Sequence, residues 1–114
     1  MQVFRRSEQE LKEVSHNPEL KKRVIFGEGV CGSIPQLATI DMAPGEQTTE
    51  HTHVDMDEIF YVVSGQLELE VEGECVSCST GDTVLIKAGE KHVLGNGSAT
   101  SDLTLLYFGV LQPS

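Results

Sequence analysis

The sequence predicts an all-β domain built as a small barrel or sandwich. From residue 24 onward, short apolar or alternating runs are separated by Gly, Pro, Asn and Asp, which are typical turn residues. Residues 66–72 (QLELEVE) alternate strictly between apolar and polar side chains, as expected for a half-exposed antiparallel strand. Many short strands at close spacing favour a closed sheet, because closure removes the free edges that invite aggregation.

The first element is an N-terminal arm, residues 1–23, that is predicted to be helical or irregular. Ser7 and Glu10 match a capping box, and two apolar residues follow at helical spacing. Residues 7–14 therefore predict at most two turns of helix.

The β-barrel domain is assigned to residues 24–114. Besides residues 66–72, the apolar runs between turn signals predict further strands. These lie at residues 37–42, 59–63, 83–87, 91–94 and 103–110.

The length of the chain predicts a single domain, and its charge argues against a nucleic-acid-binding protein. The 114 residues have the length of one domain, and their net charge is -10. Residues 1–23 carry six basic against four acidic residues, whereas residues 24–114 carry two against fourteen. An acidic body repels phosphate groups, so no nucleic-acid partner is expected.

Location and assembly are further expectations. No apolar run long enough for a membrane helix or a signal peptide is present, and three cysteines are too few for a disulfide framework. The sequence therefore predicts a cytoplasmic protein without membrane contact. A homodimer is also expected, in which residues 24–30 complete the sheet of a partner subunit.

Three histidines and one glutamate are candidates for a metal site. His51 and His53 are separated by one residue, so on an extended strand both imidazoles point to the same face. If residues 54–57 turn the chain, Glu58 opens the next strand and can point inward beside them. His92 follows another turn. Three nitrogens and one carboxylate oxygen suit a divalent metal such as Fe, Mn, Ni, Cu or Zn.

The spacing of these residues resembles the two motifs of the cupin superfamily. The first motif, G(x)5HxH(x)3-4E(x)6G, is matched at every specified position. The second, G(x)5PxG(x)2H(x)3N, is matched except that Lys87 stands where the family usually has Pro. The matching residues are Gly45, His51, His53, Glu58, Gly65, Gly81, Gly89, His92 and Asn96.

The resemblance implies a β-barrel of jelly-roll type that holds one divalent transition metal. It assigns His51, His53, Glu58 and His92 as the metal ligands, with Fe or Mn favoured and Ni, Zn or Cu as alternatives. The motif glycines would occupy turns, and Asn96 would orient a loop rather than bind the metal.

Two functions follow from that assignment. Four ligands on an octahedral metal leave two open positions, which favours an oxygenase, oxidase or isomerase acting on a small polar molecule. In this reading Glu58 doubles as a proton acceptor and is the catalytic residue. The alternative is a non-catalytic module that binds a metal or a small ligand, because cupins with either role resemble one another.

Other residues have weaker assignments. Lys87 either faces an anionic substrate or is a solvent-exposed lysine. Cys75 and Cys78 are three residues apart, so on a strand they would point to opposite faces, and no second cysteine pair is present to complete a zinc site. His16 is expected at the surface of the arm. Candidates for a pocket wall, by alternation, are Phe60, Val62 and Tyr107.

Overall fold

Nine strands form two antiparallel sheets in the computed structural model, which describes residues 1–15 and 17–113. His16 therefore lies outside the described part of the chain. The strands are β1 (Glu10–Val14), β2 (Asn17–Phe26), β3 (Leu37–Met42), β4 (Met56–Ser64), β5 (Gln66–Val71), β6 (Glu74–Ser79), β7 (Thr83–Ile86), β8 (His92–Asn96) and β9 (Leu103–Leu111). The larger sheet has the order β1-β2-β3-β9-β4-β7, and the smaller sheet has the order β6-β5-β8.

Alternation of side chains builds the core between the sheets. In β5, Leu67 and Leu69 are buried while Glu68 and Glu70 are exposed, so one face of the strand points inward. The buried apolar side chains of both sheets form one cluster. Its members are Leu20, Ile40, Met42, Phe60, Val62, Leu67, Leu69, Cys78, Ile86, Leu94, Leu103 and Leu105.

The predicted all-β jelly-roll fold is confirmed. The strand predicted at residues 37–42 coincides with β3, and the other five predicted strands each overlap an observed one. Their ends differ from the observed ends by up to three residues, the largest difference being at the start of β4. The sequence left β1, β2 and β6 unassigned as strands.

The helix predicted over residues 7–14 is wrong. Only a short 3-10 turn, Arg6–Glu8, is present in the arm, and Glu10–Val14 is the strand β1. Leu11, which the helix would have used for packing, is 59% exposed. Pairing with β2 decides the local structure here, because a short capping pattern contributes little compared with a ladder of hydrogen bonds.

Residues 24–26 already belong to a sheet within the chain. They end β2, in which Val24 pairs with Glu10 of β1 on one side, and Val24 and Phe26 pair with β3 on the other. That residues 24–30 complete the sheet of a partner subunit stays a prediction. β2 also runs through residues 23 and 24, where the sequence placed the boundary between arm and barrel.

The four motif glycines occupy turns as expected. Gly45, Gly65, Gly81 and Gly89 all have φ between 85° and 102°, a range that side chains with a Cβ rarely adopt. At Gly65 an added Cβ would also lie 2.6 Å from the carbonyl oxygen of Asp102.

Within residues 1–15 and 17–113, no helix is long and apolar enough to cross a membrane.

Candidate metal centre

The four predicted ligands meet where the two sheets approach each other. Glu58 lies in β4 of the larger sheet, and His92 begins β8 of the smaller one. His51 is tied to β8 by two backbone hydrogen bonds. Its N–H donates to the carbonyl of His92 at 3.1 Å, and its carbonyl accepts from the N–H of His92 at 3.0 Å. The carbonyl of His53 accepts a hydrogen bond of 2.7 Å from Gly89, which fixes the next residue of this segment.

The potential donor atoms converge on one point. One ligand atom from each of His51, His53, Glu58 and His92 lies within 4.8 Å of the others. Oε1 of Glu58 is 3.2 Å from Nε2 of His53 and 3.2 Å from Nε2 of His92. Glu58 and His92 are buried, whereas His51 and His53 are half-buried, so the cluster is closed on one side and accessible on the other.

Hydrogen bonds to the backbone orient two of the imidazoles. Nδ1 of His51 lies 3.0 Å from the carbonyl of Thr49, and Nδ1 of His92 lies 3.0 Å from the carbonyl of Glu90. A neutral imidazole with its proton on Nδ1 donates to such a carbonyl and keeps the lone pair of Nε2 free. This arrangement presents Nε2 as a metal ligand.

Two buried polar atoms of the cluster lack the partners that a folded protein normally supplies. Oε1 of Glu58 and Nε2 of His92 are 3.2 Å apart, but with the His92 proton on Nδ1 both atoms are acceptors, and neither receives a hydrogen bond from a described residue. Because an unsatisfied buried polar atom is costly, such atoms call for an explanation. A divalent cation among the four donors would satisfy both atoms, and the nitrogen and carboxylate donors suit a transition metal. The residues therefore fit a metal site.

The histidines have shifted pKa values. Burial lowers the pKa of His51, since it disfavours the charged ring. Burial also acts against the charged form of His92, but the Glu58 carboxylate and the carbonyl of Glu90 outweigh it, so the pKa of His92 lies above its ordinary value.

A cavity of about 540 Å³ lies beside the candidate metal site and is lined by three of its residues, His51, His53 and Glu58. Phe60 and Tyr107 line it, and their rings stack with centroids 5.3 Å apart. Burial raises the pKa of Tyr107 to about 12, so its hydroxyl stays protonated at neutral pH. Val62, predicted as a third wall residue, is instead fully buried in the core.

Lys87 has a role that the sequence did not predict. Its Nζ lies 2.8 Å from Oδ2 of Asp57, while the backbone N–H of Ala88 donates to Oδ1 at 2.8 Å. Both donors lower the pKa of Asp57. Asp57 thus ties the strand that carries Glu58 to the segment that leads to His92. No local pattern could have revealed this pair, because its members are far apart in sequence.

Asn96 orients a loop, as the family motif implied. Its amide donates to the carbonyls of Met42 and Ser101, at 2.9 and 2.8 Å, and its Oδ1 accepts from the backbone N–H of Ser98 at 2.8 Å. These bonds hold the connection between β8 and β9 beside the end of β3.

The two cysteines of the CxxC lie on opposite faces of β6. Cys75 is exposed, whereas Cys78 is buried in the core. This agrees with the prediction that they point apart, so they cannot bind one zinc ion together without rearrangement of the strand.

Comparisons with known proteins agree with this architecture. The family model for the cupin domain matches residues 38–109. Tetracenomycin polyketide synthase protein TcmJ of Streptomyces glaucescens is 35% identical over 60 residues, which cover 53% of this chain and 40% of TcmJ. Polyketide synthase CurC of Streptomyces cyaneus is 34% identical over 72 residues, which cover 63% of this chain and 47% of CurC. The matched segment thus spans less than half of each of these relatives.

A solved structure shares almost the whole fold. A protein from Thermotoga maritima, described as a predicted oxalate decarboxylase, superposes with a TM-score of 0.85 at 23% identity. The superposition covers 96% of this chain and 99% of the other. The arrangement of both sheets is therefore shared across distant sequences.

Proposed function

The chain belongs to the cupin family, and from this premise we propose that it is a metal-dependent enzyme that converts a small polar molecule bound in its cavity. The proposed class is an oxygenase, oxidase or isomerase. One observation carries the proposal: four potential donor atoms converge beside an accessible cavity, and with His92 neutral the buried Oε1 of Glu58 and Nε2 of His92 receive no hydrogen bond from the described residues.

His51, His53, Glu58 and His92 would hold the metal. When bound, a divalent ion such as Fe or Mn supplies Lewis acidity and access to redox chemistry. The chain itself supplies orientation. The carbonyls of Thr49 and Glu90 fix two of the imidazoles before any ligand arrives, which reduces the cost of organising the site.

Glu58 is the proposed proton acceptor. It lines the cavity and is only 7% exposed, so its carboxylate is largely shielded from bulk water. A carboxylate in this position can take a proton from a bound substrate and return it later. This second role is compatible with metal ligation because a carboxylate has two oxygens.

Part of the cavity wall is aromatic and suits the body of an organic molecule. Phe60 and Tyr107 present stacked rings to the cavity, and burial of apolar surface against them favours binding. Tyr107 adds a neutral hydroxyl that can donate a hydrogen bond. The names of the two Streptomyces relatives, both polyketide synthase proteins, support a small organic substrate.

Metal analysis and a substrate screen test the proposal together. Protein purified without added metal or chelator is analysed by mass spectrometry for metal content, with about one metal per chain expected. Glu58→Gln and His92→Ala are expected to lose most of this metal. Glu50→Gln is the matched control, because Glu50 is an exposed carboxylate beside His51 and outside the cluster.

Turnover is then measured on Fe- or Mn-loaded protein with a broad panel of small polar molecules, by oxygen uptake and by product mass spectrometry. Conversion that is lost in Glu58→Gln and retained in Glu50→Gln is the expected result. Bound metal without conversion of any compound would instead indicate a non-catalytic binding module. Equal metal content in all variants would refute the ligand assignment.

A further inference from the structure

Two lysines line the same cavity as His51, His53 and Glu58 of the candidate metal site. Lys12 on β1 and Lys22 on β2 are directly opposite each other in the strand register, so their side chains share one face of the sheet. The body of the protein is strongly acidic, and the chain has only eight basic residues. Two of them are placed side by side at the cavity.

The lysine pair lacks a carboxylate partner within the described part of the chain. Neither Lys12 nor Lys22 forms an ion pair within 4.0 Å with residues 1–15 or 17–113. Glu28 also lines the cavity, and Glu10 lies on the same face of β1 as Lys12, yet neither is within that distance. The two positive charges therefore remain uncompensated by this part of the protein.

The other face of the same two strands provides an internal comparison. The next pair in the register is Glu13 opposite Lys21, which are oppositely charged and have a nitrogen–oxygen distance of 3.6 Å. Like charges directly opposite each other destabilise a strand pair, whereas opposite charges stabilise it. The pair of Glu13 and Lys21 follows this rule. The pair of Lys12 and Lys22, which faces the cavity, does not.

Lys22 is also partly removed from water. It is half-buried, and on its other side it is paired with the core residue Ile40 of β3. Burial and the charge of Lys12 both lower the pKa of Lys22. A cation in such a position gains most from an anionic ligand, because the electrostatic attraction is screened less than at an exposed site.

We propose that Lys12 and Lys22 form an anion-binding site in the cavity, and that the ligand of this protein carries an oxyanion, either a carboxylate or a phosphate group. The inference rests on the proposed function in taking this cavity as the ligand site. The apolar body of the ligand would lie against Phe60 and Tyr107, with its oxyanion between the two ammonium groups.

Calorimetric titration with matched probes tests this assignment. The probes are benzoate against benzamide for the carboxylate, and phenyl phosphate against phenol for the phosphate. Wild-type protein is compared with the double variant Lys12→Gln, Lys22→Gln and with Lys21→Gln, whose lysine neighbours Lys22 but faces outward. A bound metal would also attract anions, so metal content is measured for every sample and only samples of equal content are compared.

At least one anion is expected to bind wild-type protein, and the double variant is expected to bind it about tenfold more weakly, the scale of a lost charged hydrogen bond. The neutral probes and the Lys21→Gln variant should show unchanged affinities. The anion that is affected distinguishes carboxylate from phosphate recognition. The melting temperature of the double variant should be equal to or above that of the wild type, because a repulsion is removed.

Equal anion affinity in the double variant and the wild type would overturn the proposal, as would a panel in which no anion binds better than its neutral partner. A lower melting temperature of the double variant with unchanged anion affinities would also overturn it, and would show that the two lysines stabilise the edge strand β1 instead. Absence of metal from wild-type protein would contradict the proposed function alone, because the lysine comparison is made at equal metal content, including none.

Discussion

Lys87 takes the position that proline usually has in the second cupin motif, and it holds the turn by different means. Its backbone N–H donates to Oε1 of Glu90 at 2.7 Å, and its ammonium group contacts Asp57 at 2.8 Å. Proline restricts a turn through its ring but offers no N–H. Here the turn is held by two carboxylates, one within it and one on the strand that carries Glu58.

The first prediction concerns Asp57 as a positioning residue. Asp57→Asn removes the charge that attracts Lys87, so the segment ahead of His92 is held less firmly and the melting temperature should fall by a few degrees. Thermal unfolding followed by circular dichroism measures the change. Asp55→Asn is the control, because Asp55 is exposed and its side chain has no hydrogen bond within the described residues. Equal melting temperatures in the two variants would contradict the role of Asp57.

At the scale of elements, strands with a clear alternation were the most predictable. β3 and β5 were recognised from their sequence because apolar residues occupy every second position and pack into the core. β1 was not, because its charged sequence fits a helical pattern as well as a strand, and only pairing with β2 selects one. β6 carries small and polar residues, so its sequence gives little signal of burial.

The alternation along β6 leads to a prediction of cysteine reactivity. In the folded protein Cys75 should react readily with iodoacetamide, whereas Cys78 should be protected, because it lies in the core and burial raises the pKa of its thiol. Peptide mass spectrometry at neutral pH measures both rates in one sample. Cys31 is exposed and serves as an internal reference. In denaturant the three rates should become similar, and equal rates for Cys75 and Cys78 in native protein would contradict the register of β5 and β6.

In the candidate site, too, features set by nearby residues were predictable and features set by strand pairing were not. The four metal-cluster residues were recognised from spacing, because each motif lies within one short stretch of the chain. The lysine pair of β1 and β2 could not be recognised, since its position depends on a strand register and on the cavity that several strands enclose. Long-range pairing is not encoded in a pattern of neighbouring residues.

At the scale of the whole molecule, the cluster connects the two sheets. Glu58 belongs to the six-stranded sheet and His92 to the three-stranded one, while His51 and His53 lie on the segment between β3 and β4. Two isolated β-bridges also join this segment to β8. Gln47 pairs with Gly95, and His51 pairs with His92 at the start of the strand. The predicted homodimer, in which residues 24–30 complete the sheet of a partner subunit, stays a prediction.

Because the four proposed ligands come from both sheets, the proposed metal should stabilise the entire fold. Without the proposed metal, the buried Oε1 of Glu58 and Nε2 of His92 are both acceptors unless His92 is protonated, so chelation should lower the melting temperature of wild-type protein by several degrees. A ligand at a hundred times its dissociation constant contributes about 2.7 kcal/mol to the free energy of unfolding, which sets the expected scale. Differential scanning calorimetry, with increasing metal added back to stripped protein, measures the effect. His92→Gln should melt at the same temperature with and without chelator, whereas Glu50→Gln should respond as the wild type does. A wild-type melting temperature that neither chelator nor added metal changes would show that the two sheets are held together without the ion.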